Sequence, residues 1–215
     1  TISGIGISAD TGTASDDFNT KTAAQTLTAT LSAAVSGGDT VQVSVNGGSS
    51  YSDVNDDVTG TALSTSITLS GSSSITIRVT DPAGNSGSVA SQAYTLDTTA
   101  PAQTYSGLDI SADTGTSATD FNTKTAAQTL TVTLSAAIAS DDILQVSIDD
   151  GSNWVDDDHN TAAGTALSTA ITLSGSSTIH VRIKDDAGNI GTATEQAYIL
   201  DTTAPTITYA SVDIS

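Results

Sequence analysis

The side chains with the clearest chemical potential are carboxylates. Asp10, Asp16 and Asp17 fall within eight positions, and Asp113 and Asp120 stand in a matching stretch further on. Asp81 and Asn85 bracket a short Pro-Ala-Gly segment, as Asp185 and Asn189 bracket Asp-Ala-Gly. Asp97 and Asp201 each open a Thr-Thr-Ala-Pro run, and Asp141 and Asp142 form a further acidic pair. Clustered short carboxylates in turns suit a hard cation such as Ca²⁺, which takes oxygen ligands. They also suit Asx turns, in which the same side chain caps its own backbone. Both readings stand for the linker Asp97 and Asp201 and for the loop acids Asp10 and Asp17. For Asp81 and Asn85 a plain hairpin turn is an equal alternative.

Other chemistries find little support. Asp149-Asp150-Gly151 with Asn153 and the acids 156–158 has neither the glycine position nor the closing Glu of an EF-hand loop. It reads as a hairpin turn, like Asn46-Gly47-Gly48 in the earlier half. His159 and His180 have no counterparts between the halves, and no Ser–His pairing or Gly-x-Ser-x-Gly elbow marks a nucleophile. The chain reads as a non-enzyme. Tyr51 and Trp154 occupy equivalent places and read as packing aromatics. Thr26, Thr28 and Thr30 alternate on one side of a strand, which is ordinary for a solvent-facing row.

The elements that must position these acids come in two copies. Ile7-Ser8-Ala9-Asp10-Thr11-Gly12-Thr13 recurs as Ile110-Ser111-Ala112-Asp113-Thr114-Gly115-Thr116, and Leu96-Asp97-Thr98-Thr99-Ala100-Pro101 as Leu200 to Pro205. One residue is inserted between repeats, in the acidic loop 156–163. The expected divisions are 1–97, 98–201 and 202–215, the last a linker with the start of a third repeat. The chain therefore reads as a piece of a longer tandem array. Apolar residues alternate with polar ones in short runs: Leu27, Ala29, Leu31; Val41, Val43, Val45; Leu63, Ile67, Leu69; Ile75, Ile77, Val79. Period-two runs broken by frequent turns predict an all-β fold, two tandem immunoglobulin-like seven-strand β-sandwiches in an extended rod. In such a sandwich Asp97 falls beside its own first loop, with Asp10, Asp16 and Asp17. Across the boundary it faces Asp185, Asn189, Asp141 and Asp142 of the next repeat. Like charges so gathered call for a cation.

The net charge is −19, from 24 acidic and 5 basic residues, and there is no cysteine. This balance argues against nucleic acid, which needs a basic footprint, and against anionic membrane surfaces. No apolar run reaches the ~18 residues of a membrane span. Without disulfides, bound metal is one way to staple such repeats. The expected partners are neighbouring repeats of the same chain, with no other subunit.

The D-T-T-A-P linkers, the D-x-A-G-N turns (Asp81 to Asn85, Asp185 to Asn189) and the D-T-G…D-F loops (Asp10 to Phe18, Asp113 to Phe121) together resemble bacterial Ig-like repeats. Such repeats form extender regions of large RTX-type adhesins of Gram-negative bacteria, marine ice-binding adhesins among them. The resemblance implies an extracellular, type I secreted stalk rigidified by Ca²⁺ at linkers and loops, projecting a distal ligand-binding domain at the cell surface in adhesion and biofilm formation. It implies Asp10, Asp17, Asp81, Asp97, Asp113, Asp120, Asp185 and Asp201 as ligands. Two departures stand out: Asp186 replaces Pro82, and Asp109 replaces Gly6. The alternative is an Ig-like carbohydrate- or protein-binding module of a secreted protein.

Overall fold

The computed structural model describes residues 1–157 and 164–208; His159, Asp158 and the last seven positions of the expected third repeat lie outside them. The chain forms two compact units. One comprises Thr1–Pro101 together with Asp185–Ile190, and the other the remainder.

In the first unit one sheet joins β1 (Ile2–Ile7), β3 (Ala24–Leu31), β7 (Ala62–Thr68) and β6 (Val58–Thr59), in that order. The second sheet orders β2 (Asn19–Thr20), β9 (Ala90–Leu96), β8 (Ser73–Thr80), β4 (Thr40–Ser44) and β5 (Ser52–Asp53). All pairs are antiparallel except β2 with β9, where Asn19 lies opposite Thr95 and Thr20 opposite Leu96. A short 3₁₀ turn, Asn55–Asp57, precedes β6. The second unit repeats the plan. β10 (Tyr105–Ile110), β12 (Ala127–Leu134) and β15 (Ala166–Thr172) form one sheet. β11 (Asn122–Thr123), β17 (Thr194–Leu200), β16 (Ser177–Lys184), β13 (Ile143–Ser147) and β14 (Val155–Asp157) form the other. Both units are β-sandwiches of the immunoglobulin/fibronectin-III kind, as the alternation predicts.

Strand β3 shows the cause. Its odd positions Gln25, Leu27, Ala29 and Leu31 are buried while Thr26, Thr28 and Thr30 face solvent. One face thus meets the opposite sheet through Val41, Ile75 and Ile77, all fully buried. The second core repeats this with Leu130, Leu144, Ile179, Val181 and Ile183. Tyr94 and Tyr198 are buried too, and each hydroxyl donates to a main-chain carbonyl, Val45 at 2.8 Å and Ile148 at 2.9 Å. A buried phenol needs such an acceptor.

Two short strands lie in segments where no alternation marks them. β2 sits inside the stretch 9–22, and β6 inside 53–60. Neither carries an alternating pattern, because two residues are too few to show one. The hairpin Asn46–Gly48 uses left-handed backbone at Gly47 and Gly48, whereas its counterpart places Asp150 there at φ 60°. Asp tolerates that region better than most side chains. No described helix is long and apolar enough to cross a membrane.

Candidate cation-binding loops

The loop between β1 and β3 is held from below by polar groups that the apolar pattern hides. Gln25 takes an inward position on β3 and is almost fully buried. Its Oε1 accepts from the Ala9 N–H at 2.8 Å, and its Nε2 donates to the carbonyls of Ala9 and Thr22. Thr20, fully buried, donates its hydroxyl to the Ala9 carbonyl at 2.5 Å. Gln128 and Thr123 make the same contacts around Ala112. A polar residue on an otherwise apolar strand face was the one signal in the sequence for this brace.

Above the brace the loop closes on carboxylates. Asp10 Oδ2 accepts from the Phe18 N–H at 3.0 Å, and Asp17 accepts from the N–H groups of Asn19 at 2.8 Å and Ala14 at 3.1 Å. Asp113 and Asp120 repeat this with Phe121, Asn122 and Ser117. Phe18 and Phe121 adopt φ of 60° and 56°. That conformation is strained for a bulky residue. It persists because each ring is buried and each carbonyl accepts from the strand beside it, Thr95 or Ile199. Gly12 and Gly115 admit no side chain, since a Cβ would lie 2.9 Å and 2.8 Å from the Asp17 and Asp120 carboxylates.

In each copy one oxygen is left over. Asp10 Oδ1 and Asp113 Oδ1 are buried and have no hydrogen-bond partner; Asn19 Oδ1 is in the same state. An unpaired buried carboxylate oxygen is costly. Burial, followed by the charge and contact of Asp17 and the charge of Asp16, pushes the Asp10 carboxyl above its usual range, despite the Phe18 N–H. In the second copy the outer acid, Asp120, is held below its usual range, chiefly by the Asn122 N–H. In both copies an inner acid with one unpaired buried oxygen stands beside an outer acid held by main-chain N–H groups. The donor set is all oxygen, which fits a hard cation. Among the described residues no three His, Asp or Glu side chains form a metal cage by themselves. A cation here would complete its shell with main-chain carbonyls and water.

The other acids are occupied differently. Asp81 accepts from Ala83 and from both the main-chain and side-chain N–H of Asn85, all within 2.9 Å, which lowers its pKa. Asp185 and Asn189 close the same turn while buried. Both carboxylates are engaged by their own turns. Asp97 and Asp201 accept from Thr99 and Thr203 at 2.8 Å, and their N–H groups reach Thr20 and Thr123 of the loop. The linker residue therefore stands next to its own loop, but its carboxylate caps the Thr-Thr turn. Asp142 sits in the turn before β13, its N–H on the Ala139 carbonyl, with Asp141 exposed beside it. Within the first unit, Thr13 and Asn19 donate to Asp186, Lys21 Nζ to the Gly188 carbonyl at 2.6 Å, and Asn189 Nδ2 to the Asp97 carbonyl at 2.8 Å. Asp185 and Asn189 thus come near Asp97 through its carbonyl.

The aromatics pack as expected. Arg78 lies 3.6 Å over the Tyr51 ring, and Arg182 3.6 Å over Trp154. Each guanidinium Nε donates to a strand glutamine, Gln42 or Gln145. His180 bridges Asp150 and Glu195 at 3.2 Å and 3.7 Å. Asp149 is held at a pKa of about 2, first by the Asn153 side chain and N–H, then by Ser147. It is a turn residue like Asn46, which accepts from Ser44 and Ser50.

No family model matches the chain, and no curated protein matches it. Among solved structures it is similar to the fibronectin(III)-like modules of CbhA from Clostridium thermocellum, at a TM-score of 0.50 and 13% identity, covering 98% of this chain and 100% of that one. A tetra-tandem repeat from the extending region of a large adhesion protein matches at 0.30 and 19%, over 94% of this chain and 50% of that. The BSP domain of a biofilm associated protein matches at 0.28 and 18%, over 95% and 30%. At these identities the likeness to the CbhA modules shows the fold: tandem immunoglobulin/fibronectin-III-like β-sandwiches.

Proposed function

We propose that the chain is a pair of spacer repeats from a large secreted bacterial surface adhesin, and that calcium stiffens each repeat at the loop between its first two long strands. One observation carries the calcium reading. In both copies the same loop leaves a buried carboxylate oxygen, on Asp10 and on Asp113, without a partner beside a second acid. Asp10 with Asp17, and Asp113 with Asp120, are the ligands. A divalent cation there neutralises paired like charges and ties the loop to the strands on either side. Extracellular modules hold calcium at roughly 10⁻⁴–10⁻³ M, so such loops fill outside the cell and empty inside it. The twin sandwiches, the D-T-T-A-P linkers and the acidic surface suit a repetitive exported stalk. The neighbours of each repeat are then further repeats of the same chain.

Calorimetric melting decides the calcium part. At about 10 mM calcium, roughly 10- to 100-fold above the expected dissociation constant, each site adds ~1.4–2.7 kcal/mol. For a repeat of this size that raises Tm by roughly 5–20 °C over a chelator control. Magnesium at equal ionic strength gives a smaller rise. An unchanged melt removes calcium from the mechanism and leaves an acidic spacer.

A further inference from the structure

The hairpin turn between β4 and β5 holds the chain's one Asn-Gly pair, Asn46-Gly47. Such a pair can close on itself. The Gly47 nitrogen attacks Asn46 Cγ, a new C–N bond forms, ammonia leaves, and a succinimide ring results. Water then opens the ring. Opening at one carbonyl gives aspartate; opening at the other gives isoaspartate, with the main chain routed through the former side chain. Glycine favours the attack because no Cβ crowds its nitrogen. Every other asparagine is followed by a residue that carries a side chain. The folded turn engages both reacting groups elsewhere. Asn46 Oδ1 accepts from the Ser44 hydroxyl at 2.7 Å and the Ser50 N–H at 3.0 Å, and Nδ2 donates to the Ser50 hydroxyl at 2.8 Å. The Gly47 N–H donates to the Ser74 carbonyl on β8 at 3.0 Å. Attack requires the side-chain amide to leave its three partners and the Gly47 nitrogen to give up the proton that Ser74 holds. Asn46 itself is exposed, so water reaches it whenever the turn opens.

We propose that Asn46 is a deamidation site which the folded turn keeps closed, and whose aspartate product the same turn accepts. The second repeat already carries the product's residue type at this place. Asp149 accepts from the Ser147 hydroxyl at 2.7 Å, the Asn153 N–H at 2.8 Å and the Asn153 side-chain amide at 2.6 Å. The first two contacts are those of Asn46; the third has donor and acceptor exchanged. In the first repeat the Ser50 hydroxyl can make that exchange by turning its proton toward a carboxylate. Isoaspartate does not fit in this way, because its extra main-chain carbon displaces Gly47 from Ser74. The modification therefore records time spent unfolded: it accumulates before the hairpin closes and slows once it has closed. This assignment depends on neither calcium nor the adhesin reading.

Incubation of the full chain at mildly alkaline pH, folded and unfolded in guanidinium chloride, tests it. Cleavage after Lys21 and Arg78 releases the peptide 22–78. Tandem mass spectrometry of that peptide locates the mass gain at position 46 and separates the two isomers. The folded chain is expected to deamidate there at least about tenfold more slowly than the unfolded one, since only the opened turn reacts. Ser50→Ala, at an exposed position, removes one partner of the amide and should speed the folded reaction roughly twofold to fivefold. Its rate in denaturant should match the parent's, and an unchanged melt of this variant shows that the gain is local. Asn46→Asp should melt as the parent does. The proposal is overturned by equal rates in the folded and unfolded chain, by a folded Ser50→Ala chain that reacts no faster than the parent, or by an Asn46→Asp chain that melts well below it.

Discussion

At the scale of the residue, the outcome turns on how many oxygens each carboxylate has left. Asp81 has both oxygens engaged by its own turn and Asp97 has one, whereas Asp10 keeps one buried and unpaired. The sequence marks all three alike, because an Asx turn and a cation loop use the same residue in the same kind of segment. Only the fold distinguishes them, by burying one oxygen. A pH dependence follows. The Asp10 carboxyl titrates above its usual value near 3.8. A raised acid favours the folded state while protonated, and that contribution is lost as pH climbs from the usual value through the raised one. In chelator, Asp10→Asn should therefore melt higher than the parent at neutral pH, and the gap should close as the pH is lowered toward 3.8. The same variant should lose the first repeat's share of the calcium response. Thermal melts across this range check both signs. A parent that stays the more stable at neutral pH in chelator would show that Asp10 carries no electrostatic penalty.

At the scale of the element, the long strands were legible, and of the short ones β2 and β6 were not. Leu27, Ala29 and Leu31 announce β3 through period-two burial, and the Gly-rich turn at Asn46 announces the β4–β5 hairpin. β2 has no pattern of its own; it exists because β9 offers a parallel edge to Asn19 and Thr20. The brace under the loop is legible in hindsight as a glutamine on an apolar face. Gln25→Ala removes a side chain that accepts from one N–H and donates to two carbonyls, and leaves buried main-chain groups unpaired. The expected loss is roughly 2–3 kcal/mol, the cost of stranded polar groups. Gln128→Ala should match it in the second repeat. Denaturant unfolding gives the number, and a loss under about 0.5 kcal/mol would mean that water replaces the amide at no cost.

At the scale of the whole molecule, composition speaks more clearly than any single residue. Twenty-four acids against five bases leave the folded chain repelling itself. Monovalent salt should therefore raise Tm by screening alone, as the Debye length falls from ~10 Å at 0.1 M to ~3 Å at 1 M. On the proposed reading calcium at matched ionic strength should exceed that rise, because it would act at two loops rather than over a surface. Equal effects of the two salts would reduce calcium to a counterion. The tandem plan and its all-β class were plain from the repeated motifs. One feature of the loop also carries a meaning in time. Its closing strand, β2, pairs with β9, the last strand of the repeat to be reached along the chain. The Phe18 carbonyl likewise waits for the Thr95 N–H. The acids nearest the start of each repeat can thus be assembled only once its end has arrived, so a loop filled as proposed would signal that the whole repeat has been built.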